Sequence, residues 1–334
     1  MKIKSSSRSS EFSVRRTDRA GEARGFSLVE VLVVMTILTL IVFALMSVFS
    51  STQRAFRASV TQSDVLQGGR AAMDLIMSDL RTATPCNGFS LGNTNDLSGG
   101  YPVVGYGVNF FVTNNGAFYL PLLQSLPGSS NQRTNLLQWF FVLSRQNTKW
   151  TGVGYIVNTA STSYFYPLYR FYGETNISHD PSTLFNAFVL QVNQANGQGF
   201  TNMSHVIDGV VHLVVHGYDI NGSLMTNGYS FTQMTNGTPR NTWFTPPYPS
   251  PVGEIGFVMS SNALPATVEL QMGVMEDRAM QRSISLGIPG QPIISGALTQ
   301  TSPAQWTYMQ GLAGHVQIFR QRVTIQNADP SAYQ

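Results

Sequence analysis

The sequence predicts an α+β fold in which one long N-terminal helix packs on an antiparallel β-sheet domain. An uninterrupted apolar run over residues 26–49, followed by a polar stretch with a helical period, indicates the helix. Short β-branched and aromatic segments separated by turn residues, from about residue 100 onward, indicate the sheet. The predicted divisions are a basic leader (1–25), a transmembrane helix (26–50), an amphipathic helical extension (51–84) and an extracytoplasmic β-rich domain (85–334).

The net positive charge of the chain comes from its leader. The chain has 20 Lys+Arg against 17 Asp+Glu, a net charge of +3, and charged residues make up only 11% of it. Seven basic and three acidic residues lie in residues 1–25, so the rest of the chain holds 13 basic and 14 acidic side chains. Because the residues after the leader have a net charge of −1, we do not expect nucleic acid to be a partner.

The apolar run from Phe26 to Phe49 contains one charged residue, Glu30, and no Gly or Pro. A helix of that length reaches roughly 36 Å, enough to cross a hydrocarbon core of about 30 Å. The Lys/Arg excess on its N-terminal side places the leader in the cytoplasm and the residues after Ser50 outside. A secretory signal would have a shorter apolar core followed by a small-residue cleavage site, and a plain anchor would leave the carboxylate of Glu30 unexplained.

The start of the apolar run resembles the N-terminal signal of type IV prepilins and type II secretion pseudopilins: Arg24-Gly25-Phe26-Ser27-Leu28-Val29-Glu30. The resemblance implies that a membrane prepilin peptidase cleaves after Gly25 and methylates Phe26, the first residue of the mature chain. Glu30 is then the assembly glutamate, whose carboxylate would meet the N-terminal amine of a neighbouring subunit or of its own chain. Such pairing would offset the cost of burying either charge. The alternative is that Glu30 lies in the lipid headgroup zone.

The resemblance also implies a location and a set of partners. We expect a single-pass protein of the bacterial inner membrane, with a cytoplasmic N-terminus and a periplasmic or extracytoplasmic C-terminal domain. The expected partners are the prepilin peptidase/N-methyltransferase, the inner-membrane assembly platform, and other pseudopilins of the I, K, H and G types, contacted through the N-terminal helix. The role expected is that of a structural subunit of a type II secretion pseudopilus, with no enzymatic activity, cofactor or metal.

Residues 51–82 continue the helix with an apolar stripe at helical spacing, formed by Phe56, Val60, Leu66, Met73, Ile76 and Leu80. The stripe predicts a face that packs on the globular domain or a surface for a partner helix, and both can hold at different heights. Gly68-Gly69 predicts a kink. Pro85 and Asn87-Gly88 predict the end of the helix.

Six segments after the helix predict strands: residues 137–143, 154–157, 164–172, 206–215, 267–274 and 316–325. Asn-Gly pairs beginning at 115, 196, 221, 227 and 236 predict turns. The stretch 221–252, rich in Asn, Gly, Thr and Pro, predicts a long surface excursion. Ser302-Pro303 predicts the start of a short helix over 304–309.

Five strings in this domain are similar, in their order, to those of J-type minor pseudopilins. They are Gly154-Tyr155-Ile156-Val157, Leu168-Tyr169-Arg170, Ile207-Asp208-Gly209-Val210, Tyr218-Asp219 and Leu264-Pro265-Ala266-Thr267-Val268-Glu269-Leu270. The resemblance implies a minor subunit at or near the tip of a pseudopilus. A long Asn/Gly/Pro-rich insertion between Asp219 and Leu264 departs from that pattern, and longer prepilin-like proteins of multi-gene cassettes in Verrucomicrobia are similar as well.

The sequence contains no motif for a catalytic nucleophile, a phosphate loop or a metal-dependent hydrolase. His212 and His216 fall in a predicted strand, where residues four apart are about 13 Å apart, so we expect sheet-face histidines rather than metal ligands. The string from Asp219 to Gly222 begins like a calcium loop without its later ligands and predicts a hairpin turn. A membrane-anchored enzyme is therefore only a remote alternative.

Three further features have structural interpretations. Residues 276–278, Glu-Asp-Arg, predict a solvated turn rather than an ion site. Cys86, the one cysteine, has no disulfide partner and no predicted role. The aromatic residues of 164–172 predict sheet core rather than a binding face. A minor type IV pilin, whose exposed domain engages a surface, DNA or a secreted substrate through residues 221–252, is the alternative to a pseudopilin.

Overall fold

The computed structural model describes residues 27–86, 107–114, 122–125, 132–158, 166–198, 203–225, 242–245, 256–260, 262–276 and 315–330. The chain divides into two compact units, residues 1–57 and residues 58–334. Helix α1 is a 54-residue α-helix, Leu28–Arg81. It ends three residues before the predicted boundary at residue 84.

The described residues of the second unit hold a second helix, α2 (Ser182–Gln198), and strands that pair antiparallel throughout. The strands are β1 (Val108–Asn114), β2 (Leu122–Ser125), β3 (Gln132–Asn135), β4 (Gln138–Gln146), β5 (Lys149–Val157), β6 (Leu168–Asn176), β7 (Met203–Ile207), β8 (Val210–Tyr218), β9 (Thr242–Thr245), β10 (Gly256–Ser260), β11 (Thr267–Met275) and β12 (Val316–Thr324).

These strands form a seven-stranded sheet in the order β7-β6-β5-β4-β1-β10-β9, a three-stranded sheet in the order β12-β11-β8, and the hairpin β2-β3. A long helix together with antiparallel sheets confirms the predicted α+β class. The centre of the large sheet is buried on both faces, since β4 is buried from Gln138 to Ser144 without alternation. Such a continuous run is expected of a strand that is covered on both sides.

Two apolar clusters fill the spaces on either side of the large sheet. Phe110 and Phe140 belong to a cluster that includes the C-terminal part of α1 and the three-stranded sheet. Phe111 and Phe141, their neighbours in sequence, belong to a cluster that includes α2. Successive side chains of a strand point to opposite faces, so each adjacent pair of aromatics supplies both clusters.

The predicted apolar stripe of α1 divides into two parts. Met73, Ile76 and Leu80 are buried in the core. In contrast, Phe56 is 70% exposed and Val60 is 44% exposed. Packing on the globular domain therefore accounts for the C-terminal part of the stripe, and the N-terminal part presents its apolar side chains at the surface.

Gly68 and Gly69 lie inside the continuous α1 helix and serve close packing. A Cβ atom at Gly69 would overlap the ring of Phe319 on β12, and one at Gly68 would lie 3.3 Å from Cδ1 of Ile207 on β7. The glycine pair that predicted a kink is thus the place where side chains from strands of two sheets approach the helix backbone.

Three predictions about the domain need correction. Residues 206–215 form parts of two strands, β7 and β8, because the chain turns at Asp208-Gly209, where Gly209 has a φ of 77°. The Asn-Gly pair at 196 lies within α2 rather than in a turn. Residues 221–252 are not wholly an excursion, since β9 lies within them and pairs with β10.

Helix α2 and the strands β1, β2, β3, β9 and β10 were also not predicted from the sequence. Asp180 caps the helix, because its Oδ1 accepts the N–H of Ser182 at 2.9 Å, and Pro181 occupies the first turn. Leu184 and Phe188, four residues apart, pack against the large sheet. The Asn-Gly turns at 115, 227 and 236 and the helix over 304–309 lie outside the described residues.

Candidate assembly segment and polar networks of the domain

The N-terminus of α1 is capped by Ser27. Its Oγ accepts the N–H of Glu30 at 3.3 Å, and its carbonyl oxygen accepts the N–H of Val31 at 3.2 Å. The sequence Ser27-Leu28-Val29-Glu30 has the spacing of a capping box, in which a serine is followed three residues later by a glutamate. The bond to Ser27 uses only the backbone of Glu30, so the exposed carboxylate is not needed for this cap.

After Glu30, α1 presents an apolar surface to its surroundings on every side. All residues from Leu28 to Phe49 are exposed. The hydroxyl groups of Thr36 and Thr39 donate to the carbonyl oxygens of Val33 and Met35, at 2.8 and 2.7 Å. Polar groups in lipid must be satisfied within the protein, and these two are. Among the described residues, α1 is the one helix long and apolar enough to cross a membrane.

Residues 22–49 match a family model described as the prokaryotic N-terminal methylation motif. This N-terminal segment carries a prepilin-like motif. The matched residues include Gly25, Phe26 and Glu30 and end at Phe49, so the match covers the apolar segment and leaves the second unit unmatched. No curated protein and no solved structure matches the chain.

The structure describes only one of the three predicted site residues. Glu30 lies in the first turn of α1, whereas Gly25 and Phe26 lie outside the described residues. Cleavage after Gly25, methylation of Phe26 and pairing of Glu30 with an amine therefore remain predictions. The single apolar helix next to the motif is consistent with membrane anchoring.

A polar network joins the end of α1 to the large sheet. Arg170 on β6 donates from Nε and Nη2 to the two carboxylate oxygens of Asp79 on α1, at 2.8 and 2.9 Å. The hydroxyl of Tyr155 on β5 donates to the same carboxylate. Burial, reinforced by the negative charge of Asp79, raises the pKa of Tyr155 far above its usual value, so the phenol remains a proton donor. The bidentate pair fixes the last turn of α1 on the sheet.

A second network is centred on Glu269 of β11, whose side chain is only 1% exposed. Arg320 and Arg322 of β12 both donate to its carboxylate, and Gln271 donates to Oε1 at 3.0 Å. Burial opposes ionisation of Glu269, but the hydrogen bonds from Arg322, Gln271 and Arg320 outweigh it and lower the pKa to about 2. The carboxylate therefore stays charged at neutral pH.

Tyr218 of β8 extends this network to the third strand of the small sheet. The Arg322 guanidinium lies over the Tyr218 ring, 4.3 Å from its centroid, and Nη2 of Arg322 donates to the tyrosine oxygen at 2.9 Å. The polar residues of the J-like strings thus serve identifiable structural roles. Tyr155 and Arg170 hold α1, while Tyr218 and Glu269 join the three strands of the small sheet.

The candidate metal-binding features are engaged in other interactions. His212 accepts the N–H of Leu136 on Nδ1 at 3.2 Å, and Nδ1 of His216 lies 3.9 Å from the Glu269 carboxylate. Asp219 is buried and accepts the N–H groups of Asn221 and Ser223 at 2.9 and 2.7 Å, which confirms a turn. The part of the chain that the structure describes contains no group of three or more potential metal-binding His, Cys, Asp or Glu residues.

The remaining candidates also have structural environments. Glu276 lies 3.2 Å from Nδ1 of His315, while Asp277 and Arg278 lie outside the described residues. Cys86 is partly buried near Gly107, with its Sγ 3.5 Å from the carbonyl oxygen. Of the aromatic residues in 164–172, Tyr166 and Phe171 are buried, as predicted for sheet core, while Tyr172 is largely exposed.

Sequence reasoning missed Asp79, Arg320 and Arg322 as members of these networks. Asp79 was only a polar residue between apolar helix positions, and its partner Arg170 is 91 residues away. The alternation of Arg320 and Arg322 along β12 placed both on one face of a strand and was the available signal. It could not identify Glu269 as the partner, because the register of β11 on β12 is a tertiary feature.

Proposed function

We propose that this chain is a prepilin-like subunit that is cleaved after Gly25, methylated on Phe26 and assembled through its N-terminal helix. The observation that carries this proposal is the methylation motif at residues 22–49, which directly adjoins a helix able to span a membrane. The basic leader, with seven positive and three negative residues, supports a cytoplasmic N-terminus. The second unit would then be extracytoplasmic, with the chain anchored once in the bacterial inner membrane.

Assembly would depend on pairing Glu30 with the new amine of Phe26, in the same or a neighbouring subunit. The carboxylate is exposed on α1 and free of a required capping role, which leaves it available for this contact. An unpaired charge in a membrane helix costs several kcal/mol, whereas a close pair cancels much of that cost. A subunit would therefore leave the lipid more readily when its neighbour supplies the opposite charge.

Within this family we propose a J-like minor pseudopilin of a type II secretion pseudopilus, at or near its tip. The order of the five strings in the sequence supports this proposal. The partners would be the prepilin peptidase, the inner-membrane assembly platform and the other minor and major pseudopilins. Co-purification with I- and K-type subunits would support the J role, and a chain that assembles only with pilins would contradict it.

A minor type IV pilin with an adhesive or substrate-binding domain is the second candidate. The long segment between Asp219 and Leu264, absent from the J-type pattern, favours it. Deletion of residues 226–240, which leaves β9 in place, should abolish binding to such a target without reducing assembly. Unchanged binding would exclude this segment as the adhesive element. The methylation motif favours a structural subunit over an enzyme.

Peptidase processing gives the most direct test of the leader assignment. A Gly25→Leu substitution should abolish cleavage in cells that carry an active prepilin peptidase, because it replaces the glycine after which the resemblance places the cut with a bulky side chain. The matched control is Gly21→Leu, which alters a leader glycine outside the predicted cleavage site. Cleavage is read from the electrophoretic mobility of the membrane-extracted protein. Normal processing of the Gly25→Leu chain, or loss of processing in the Gly21→Leu chain, would contradict the assigned site.

A further inference from the structure

Strand β12 forms one edge of the small sheet. Within the part of the chain that the structure describes, it pairs with β11 on one side and has no strand on the other. Every second residue in the middle of β12 is exposed on one face, namely Ile318, Arg320 and Arg322. An edge strand presents backbone donors and acceptors that a further extended segment can pair with.

The two arginines supply more positive charge than Glu269 requires. One buried carboxylate is shared by two guanidinium groups, whose side chains are 61% and 56% exposed for Arg320 and Arg322. Each arginine directs Nε and Nη2 inward, to Glu269 or Tyr218. Within the described residues, the Nη1 groups make no hydrogen bond. The edge therefore carries two preoriented cations and a net positive charge.

We propose that the β12 edge is an interaction surface that binds an extended acidic segment of another protein by strand addition. Residues i and i+2 of a strand lie on one face, about 6.7 Å apart, and side chains directly opposite on neighbouring strands are close enough to pair. Arg320 and Arg322 have this spacing. A partner strand with carboxylates at alternate positions would therefore place one beside each guanidinium.

The partner is a different protein rather than a second copy of this chain. None of the 17 acidic residues in the sequence has another acidic residue two positions away. A second copy could therefore not offer two carboxylates on one face of an added strand. This inference concerns the second unit and stands whether or not the N-terminal segment is processed.

Two labelled peptides of identical composition test the proposal on the full-length wild-type protein in detergent. One is Thr-Glu-Val-Glu-Val-Thr, with both carboxylates on one face, and the other is Thr-Glu-Glu-Val-Val-Thr, with the carboxylates on opposite faces. Fluorescence anisotropy should show at least about fivefold tighter binding of the first peptide, the factor that corresponds to roughly 1 kcal/mol for a charge pair. Methylation of the peptide nitrogens that face β12 should abolish binding. Equal affinity of the two peptides, or unchanged binding after N-methylation, overturns the proposal.

A single substitution tests the arginines while sparing the buried carboxylate. Arg320→Gln leaves Arg322 on Glu269, so the domain should fold, and binding of the alternating peptide should weaken about fivefold. The matched control is Arg145→Gln, which removes an exposed arginine on β4 that lies over the Trp150 ring. The control should bind as the wild type does. Equal loss in both variants would show that binding reflects the overall charge and not the β12 edge, and would overturn the proposal. Self-association of Arg320→Gln with unchanged peptide affinity would also overturn it, because the arginine would then only prevent aggregation through the edge.

Discussion

Glu30 is the one charged residue in an otherwise apolar segment. Its backbone N–H bonds to Ser27, and its carboxylate takes no part in that cap. We therefore expect Glu30→Ala and Glu30→Gln to leave the helix start and the leader cleavage largely intact. Both variants should enter filaments at least about tenfold less than the wild type, since an unpaired amine in the assembly costs more than 1.4 kcal/mol. Incorporation is measured in the sheared filament fraction.

The control for this pair is Asp74→Ala, which removes an exposed carboxylate farther along the same helix. It should assemble normally if the loss at Glu30 reflects its position rather than the overall charge. Normal assembly of both Glu30 variants would contradict the pairing mechanism.

Glu269 gives the domain a specific sensitivity to acid. Its pKa is lowered from 4.5 to about 2 in the folded protein, so its contribution to stability is complete above pH 4.5 and is lost as the pH falls toward 2. The shift sets an upper bound of about 3 kcal/mol, which solvent screening of the exposed arginines reduces. Urea unfolding of the full-length protein between pH 7 and pH 2.5 should show this loss, superimposed on that of other carboxylates.

Glu269→Gln is the matched control for the acid effect. It should be less stable at neutral pH, because two arginines lose their anionic partner, and should lose less stability on acidification. If the wild type and this variant lose equal stability between pH 4.5 and pH 2.5, the buried carboxylate is not the acid-sensitive group.

The residues of the N-terminal motif could be predicted from the sequence, whereas the pairs in the polar networks could not. Gly25, Phe26 and Glu30 lie within one short local motif, so no tertiary information was needed to single them out. Asp79 and Arg170 are 91 residues apart, and Glu269 and Arg322 are 53 apart. Their pairing depends on strand register and helix docking, which short-range patterns do not specify.

At the scale of elements, the contact between α1 and β12 depends on Gly69. A Gly→Ala change inside a helix usually stabilises it by about 0.5–1 kcal/mol. At Gly69 the new methyl group would overlap the Phe319 ring, so we expect a net destabilisation of about 1–3 kcal/mol. The free energy of unfolding of the full-length protein in urea measures this effect.

Gly68→Ala is the neighbouring control, since its Cβ would meet only the flexible end of Ile207, and it should be neutral or stabilising. Combining Gly69→Ala with Phe319→Leu should recover part of the loss, which a double-mutant cycle would detect. Equal effects at both glycines would show that the backbone conformation, rather than contact with Phe319, determines the change.

The elements themselves were predictable where one physical signal dominated. The apolar run predicted the first part of α1, and β-branched and aromatic residues predicted β11, β12 and the last four residues of β5. Helix α2 was missed because it carries no charged residue and includes the Asn-Gly pair at 196, whereas its start signal, Asp180-Pro181, was overlooked. Its packing on Gly154, where a Cβ atom would overlap Phe188, is a tertiary feature that the sequence pattern does not contain.

For the whole molecule, each segment of the chain has its own pattern of charged residues. Residues 1–25 carry the positive excess, and the apolar residues 26–49 carry one carboxylate. In the second unit, charged side chains cluster in the Asp79–Arg170 pair and in the Glu269–Arg320–Arg322 network, which connect separate elements. A low overall charge content is compatible with a stable domain because Glu269 is paired with arginines and the buried Asp219 is hydrogen-bonded by backbone N–H groups.

The central claim, that this chain is a processed prepilin-like subunit, is tested most directly by its intact mass. Membrane extracts from cells with an active prepilin peptidase supply the mature protein for mass spectrometry. The predicted mass is that of a chain beginning at Phe26 and carrying one additional methyl group on its N-terminal amine. A chain that retains residues 1–25, or one that begins at any residue other than Phe26, would contradict the claim.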